Sequence, residues 1–113
     1  MKVWIDDLRD PKDYGYPDAT WVKSAQGVWN FYLNLQVKGL LDEVTEIHFD
    51  NDIGPGYDGY YIFTRLESII AAGGFKGLKK IYVHTSNPSA AQKFMLAKES
   101  MLRYGIEIIR NHY

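Results

Sequence analysis

Ile81-Tyr82-Val83-His84-Thr85-Ser86-Asn87-Pro88 joins two kinds of local structure within eight residues. Three apolar, β-favouring residues run into four polar ones, and the last of these, Asn87, stands directly before a proline. Branched and aromatic side chains suit a pleated strand. Asparagine is a good helix N-cap, and proline fits the first helical position, where an N–H would lack a partner anyway. The segment therefore reads as a strand turning into a helix. Ala91, Phe94, Met95, Lys98, Met101 and Leu102 keep helical spacing until Gly105, which predicts a single helix from Pro88 to just before that glycine.

The same alternation recurs along the rest of the chain. Val3-Trp4-Ile5, Trp21-Val22-Lys23, Ile47-His48-Phe49 and Ile106-Glu107-Ile108-Ile109 are four more short strands. Val28, Phe31, Tyr32 and Leu35 mark a helix that Gly39 stops. Ile62, Leu66, Ile69 and Ile70 mark another, with Asp58 a candidate N-cap and Gly73-Gly74 the terminator. Asp10 to Thr20 holds two prolines and one glycine without helical period, so a loop or single turn is expected there. Strands alternating with helices predict an α/β fold with a mostly parallel five-stranded sheet, because a parallel pair needs a crossover. The chain stops at Tyr113, so no final C-terminal helix is expected.

The 113 residues, 46% of them apolar and 24% charged, have the profile of one soluble domain spanning 1–113. At that size folding buries roughly 65% of the chain's surface, enough for a core without staples. Cysteine is absent, which removes disulfides, thiolate metal sites and cysteine nucleophiles. Thirteen basic against 14 acidic side chains exclude an extended nucleic-acid clamp. No apolar run approaches the ~18 residues of a membrane span and no signal segment is visible, so a cytoplasmic protein is expected.

In an open parallel sheet, ligands bind beyond the carboxyl ends of the strands. Those ends carry Asp6, Asp7 and Arg9, then Asp50, Asn51 and Asp52, then His84, Thr85, Ser86 and Asn87, and finally Arg110, Asn111 and His112. Carboxylates gathered at neighbouring strand ends repel unless a cation or proton intervenes. Asp6, Asp7, Asp50 and Asp52 are thus the candidate metal ligands. Mg²⁺ or a similar divalent ion suits them, since it takes one or two carboxylates together with phosphate oxygens. A helix starting at Pro88 adds backbone N–H groups where phosphate binds readily. Arg9, Ser86 and Asn87 are candidate donors to a ligand, and His84 is a candidate general acid or base. Asn87 reads first as a helix cap, and His48, alternating inside a strand, reads as packed or paired. The glycines at 54, 56 and 59 serve turn geometry, since no phosphate-loop spacing is present.

At these residues the chain resembles a response-regulator receiver domain, and more closely a divergent branch of it, the cyclic-phosphate processing receiver-like family. Val3-Trp4-Ile5-Asp6-Asp7-Leu8-Arg9, Phe49-Asp50-Asn51-Asp52-Ile53-Gly54 with Gly59-Tyr60, and Val83-His84-Thr85-Ser86-Asn87-Pro88 with Met95 carry the likeness. It implies a three-layer, receiver/flavodoxin-like fold whose pocket handles cyclic phosphates of nucleotides or RNA ends. Asp6, Asp7 and Asp50 would gather the metal and Asp52 support it, while Arg9, His84, Ser86 and Asn87 would hold or protonate the phosphate. The chain departs from the family at Asn51, where histidine is common, and its fifth strand has Arg110 nearest the place where ordinary receivers carry a lysine.

The expected activity is Mg²⁺-dependent hydrolysis of a cyclic phosphoester, with Asp50 and His84 catalytic, water attacking phosphorus and His84 protonating the leaving oxygen. Asn51 motivates an alternative, a module that binds a cyclic nucleotide or other phosphorylated ligand without turnover. A phosphoacceptor receiver using Asp50 is a third reading. Trp21, Trp29 and the tyrosines motivate a fourth, a purely structural interaction protein.

Overall fold

The computed structural model describes residues 1–50, 59–84 and 88–111. Five strands form one sheet: β1 (Lys2–Ile5), β2 (Thr20–Val22), β3 (Glu46–Asp50), β4 (Lys80–His84) and β5 (Glu107–Asn111). Their order is β2-β1-β3-β4-β5, and every pairing is parallel. This is the receiver/flavodoxin-like α/β arrangement expected from the alternation of elements, with β5 the last described element. The chain leaves β1 toward one edge and returns to build β3 on its other side, so the strand order switches between β1 and β3. Asp6 and Asp7 follow β1 directly, and Asp50 ends β3.

Four helices accompany the sheet: α1 (Ala25–Lys38), α2 (Gly59–Ala71), α3 (Pro88–Met95) and α4 (Lys98–Leu102). Ser24 caps α1 by accepting from the Gly27 N–H, and Gly39 ends it in a left-handed conformation with φ 71°. The helix expected to run from Pro88 toward Gly105 is instead two. At Leu96-Ala97 the bonding tightens, with the Ala97 N–H donating to the Phe94 carbonyl, before α4 begins. Neither proline nor glycine marks this break. Phe94 and Met101 are both buried across it, so the apolar period continues where the helix does not.

Register divides the sheet into two unlike faces. On one, Val3, Ile47, Ile81 and Ile108 lie in a row beside Ile5, Phe49 and Val83. This apolar face meets the helices, with the rings of Phe49, Phe63 and Phe94 5.1–6.0 Å apart. A cavity of about 50 Å³ on this side, between the sheet, α1 and α2, is lined by apolar groups such as Val28, Leu35, Ile62 and Leu66 and belongs to packing.

The other face carries Lys2 and Glu46 in one row, Trp4, His48 and Tyr82 in the next, and Asp50 with His84 in the last. Its cover is the β1–β2 connection, which forms a 3-10 turn at Pro11–Tyr14, the single turn expected from its composition. Tyr14 and Tyr16 pack on Trp4 with ring centroids 5.8 and 5.6 Å away. A layer of amphipathic rings thus lies where a hydrophobic helix would otherwise pack.

Candidate functional site

Asp6 is 1% exposed and largely satisfied. Its Oδ1 accepts from the backbone N–H groups of Leu8 at 2.9 Å and Arg9 at 3.0 Å, a local turn that aspartate favours. That turn brings the Arg9 guanidinium back over the strand ends. Nη1 lies 3.3 Å from Asp6 Oδ2 and 3.7 Å from Asp50 Oδ1, linking β1 to β3. Burial alone would lower the Arg9 pKa, but its hydrogen bond to Asp6 and the charges of Asp6 and Asp50 outweigh that and raise it.

Asp6, Asp7 and Asp50 each offer a carboxylate oxygen, and the three oxygens lie within 4.8 Å of one another. Asp7 differs from Asp6 in one respect. Its Oδ1 is buried and has no hydrogen-bond partner among the described residues. An unsatisfied buried carboxylate oxygen is costly, and converging all-oxygen donors are what a hard divalent cation takes. The residues present therefore fit such an ion.

His84 ends β4 opposite Asp50 in the β3 register, on the same face of the sheet. It is 1% exposed, and the Trp4 ring meets it edge-on with centroids 4.5 Å apart. Its Nε2 lies 2.8 Å from Nδ1 of His48. Burial pushes the His84 pKa down to about 3, with the neighbouring His48 and Arg9 charges acting in the same direction. Burial also lowers His48, to about 4, against the opposing pull of Glu46. Both rings are neutral at neutral pH.

The strand ends thus bring together five of the residues singled out from sequence: Asp6, Asp7, Arg9, Asp50 and His84. Asp52, Ser86 and Asn87, along with Asn51 and the Asp58 cap, lie outside the described residues. Arg110 is in register with Val83, on the helix side, rather than with His84. His48 is paired, as its alternation in the strand suggested, but its partner is His84 itself. Glu46 was not singled out. The signal was present in Glu46-Ile47-His48-Phe49-Asp50, where alternate polar residues put a carboxylate, an imidazole and a second carboxylate on one face of a strand.

A parallel 2-1-3-4-5 sheet with clustered aspartates at its switch point defines the class: a receiver-like domain with an acidic pocket. Over residues 1–100 the chain matches the family described as the Cyclic-phosphate processing Receiver domain, and it belongs to that family. The family role is the processing of cyclic phosphates. No curated protein and no solved structure matches the chain. No helix among the described residues is long and apolar enough to cross a membrane.

Proposed function

We propose that this protein hydrolyses a cyclic phosphoester, a 2′,3′-cyclic phosphate of a nucleotide or RNA end, with the help of a divalent cation. The observation that carries the reading is the meeting of three carboxylates and Arg9 with His84, which sits in register with Asp50. Asp6, Asp7 and Asp50 would hold the ion, and Asp52, two residues after Asp50 in sequence, would support it. When bound, Mg²⁺ supplies positive charge to phosphate oxygens and eases ionisation of water. Arg9 bridges two of the carboxylates and has N–H groups suited to a phosphate, so it orients the anion beside them. His84 is the group able to move a proton next to Asp50. Trp4, Tyr14 and Tyr16 pack behind the histidine and exclude water from that side. Ser86 and Asn87 follow His84 directly in sequence and are further candidate phosphate donors.

Incubation with 2′,3′-cyclic nucleotides and Mg²⁺, followed by ³¹P NMR, tests the reading. The expected result is a ring-opened monophosphate, lost on chelation and strongly reduced in Asp50→Asn and His84→Ala. Absence of turnover in the folded wild-type protein, or equal turnover by both variants, removes it.

One observation favours a second reading, binding without turnover. Arg9 already acts as counter-cation to Asp6 and Asp50, so the cluster is partly compensated by the protein's own charge. Calorimetric binding of a cyclic nucleotide that is recovered unchanged would support this alternative.

A further inference from the structure

The outer side of α1 carries a stripe without charge. Successive helical residues turn by about 100°, so Gln26, Trp29, Asn30, Leu33, Gln36 and Val37 all lie within about 60° of Leu33. None of the six is charged, in a chain that is 24% charged. Leu33 is 58% exposed and Val37 88%, and Trp29 lies half-buried beside them. Lys38, the one charged residue of α1, sits about 140° around the helix from Leu33. A surface helix ordinarily turns charged side chains outward, whereas the core of a protein interface is depleted of charge and enriched in tryptophan. Beside the stripe, an open groove of about 400 Å³ runs between Tyr32 and Leu33 of α1 and Arg65, Ser68 and Ile69 of α2. The Arg65 guanidinium stands 6.0 Å from the Trp29 ring and walls that groove.

Read outward from Leu33, the helix has the same character in both directions. Tyr32 is matched by Asn34, Phe31 by Leu35, Asn30 by Gln36 and Trp29 by Val37. A contact between two copies across a two-fold axis needs this self-complementarity, because the same patch serves both sides. We infer that α1 pairs antiparallel with α1 of a second copy of this chain, with the two-fold axis passing at Leu33. Leu33 then meets the partner's Leu33, Trp29 stands level with the partner's Val37, and Asn30 with the partner's Gln36. Apolar groups meet apolar groups, and the amides at the flanks supply donors and acceptors. Like charges do not meet along the stripe, and each helix N-terminus lies along the negative C-terminal end of the other. A charged partner would find no counter-charge on these six residues, which is why a second copy is the occupant. Six residues a side and the rim of the groove fall short of the roughly 20–30 a side of a standard interface. The dimer is therefore reversible, with a Kd of about 10–100 µM. None of these residues belongs to the acidic cluster, so the pairing does not rest on the phosphoesterase reading.

Analytical ultracentrifugation of the full chain from about 2 µM to about 1 mM tests the pairing, since that range brackets the expected Kd. The wild-type mass is expected to rise from near 13.0 kDa toward twice that value. Leu33→Lys places two ammonium groups against each other on the axis and is expected to weaken the dimer at least tenfold. Its exposed position leaves the fold intact, which circular dichroism checks. An equimolar mixture of Leu33→Lys and Leu33→Glu is expected to dimerise again, because only a residue that faces its own copy can be rescued by the opposite charge at the same position. A wild-type chain that stays at 13.0 kDa up to about 1 mM overturns the inference without any variant. A dimer that Leu33→Lys leaves unchanged, or a mixture that is not rescued, overturns it as well, since the copies would then meet elsewhere.

Discussion

Nδ1 of His48 and Nε2 of His84 stand 2.8 Å apart, joining the middle of β3 to the end of β4 beneath a layer of aromatic rings. Two imidazoles in a buried hydrogen bond are held as a neutral pair, since burial penalises a proton on either by more than the nearby Glu46 carboxylate returns to His48. Trp4 touches both rings and donates its own Nε1–H to the Arg9 carbonyl at 2.9 Å. The histidine pair and the turn that carries Arg9 therefore share one support.

The neutral pair predicts a loss of stability in mild acid. Burial lowers both histidine pKa values in the folded chain, from 6.5 to about 4 for His48 and about 3 for His84. Below the ordinary value the unfolded chain binds more protons than the folded one, so stability is full above about pH 6.5 and falls as pH drops toward the folded values. Each histidine removes at most about 1.4 kcal/mol per pH unit in that window. Urea unfolding at pH 7.5, 6.5 and 5.5 should show the decline, and His48→Asn should make it shallower. A flat profile over that range contradicts the neutral pair.

Asp6 and Asp7 are neighbours in sequence with opposite expected effects on stability. Asp6→Ala strips the partner from the Leu8 and Arg9 N–H groups and from the Arg9 guanidinium, a change expected to cost about 1–3 kcal/mol. Asp7→Asn removes charge from an oxygen that is buried without a partner among the described residues and lies near two other carboxylates, so it is expected to stabilise the chain by about 1 kcal/mol without divalent ions. Urea midpoints in chelator measure both. Destabilisation by Asp7→Asn would mean the carboxylate has a structural role the geometry does not reveal.

The fold was legible because each βα step ends in punctuation with a physical cause. Gly39 adopts the positive φ that closes α1, and the two-proline segment after Asp10 forms a 3-10 turn rather than a helix. The break at Leu96-Ala97 was hidden because Ala91, Phe94 and Met101 keep helical period through it. At the site, Asp6, Asp7 and Asp50 were visible because strand ends in a parallel sheet converge. The pairing of His48 with His84 was not, since what joins them is register between strands, across 36 residues of sequence. Alternation shows that His48 shares a face with Asp50, but only pairing with β4 supplies its partner.

Gly77 offers a test of packing between the turn after α2 and the segment before β3. A Cβ at position 77 would overlap the Asp42 carbonyl oxygen, which is backbone and cannot swing aside. The Lys76 N–H donates to Asp42 Oδ1 at 3.0 Å, which fixes the two segments together. Gly77→Ala is expected to cost about 2–3 kcal/mol, the upper end of overpacking effects. Gly39→Ala meets open space and incurs only the left-handed backbone strain, about 1 kcal/mol. Thermal unfolding of the two variants should rank them in that order, and the reverse order would show that the turn yields.

Arg9 and a divalent cation compete for the same carboxylates, which sets up a prediction with two signs. Arg9 Nη1 lies within 3.3 Å of Asp6 and 3.7 Å of Asp50, and Asp7 adds a third negative group nearby. Replacing Arg9 with glutamine removes the guanidinium charge from beside Asp6 and Asp50, so in chelator the Arg9→Gln variant should unfold at lower temperature than wild type. Relief of the competition should then strengthen binding of Mg²⁺. Ligand that binds only the folded state stabilises by RT ln(1 + [L]/Kd), so a tenfold lower Kd adds about 1.4 kcal/mol at saturating ion. The rise in Tm from chelator to 10 mM Mg²⁺, a concentration of about the usual assay order, should therefore be larger for Arg9→Gln than for wild type, and absent in Asp50→Asn. An equal rise in wild type and Arg9→Gln would show that the guanidinium and the cation occupy separate places. No rise in any of the three would remove the acidic cluster as a divalent site.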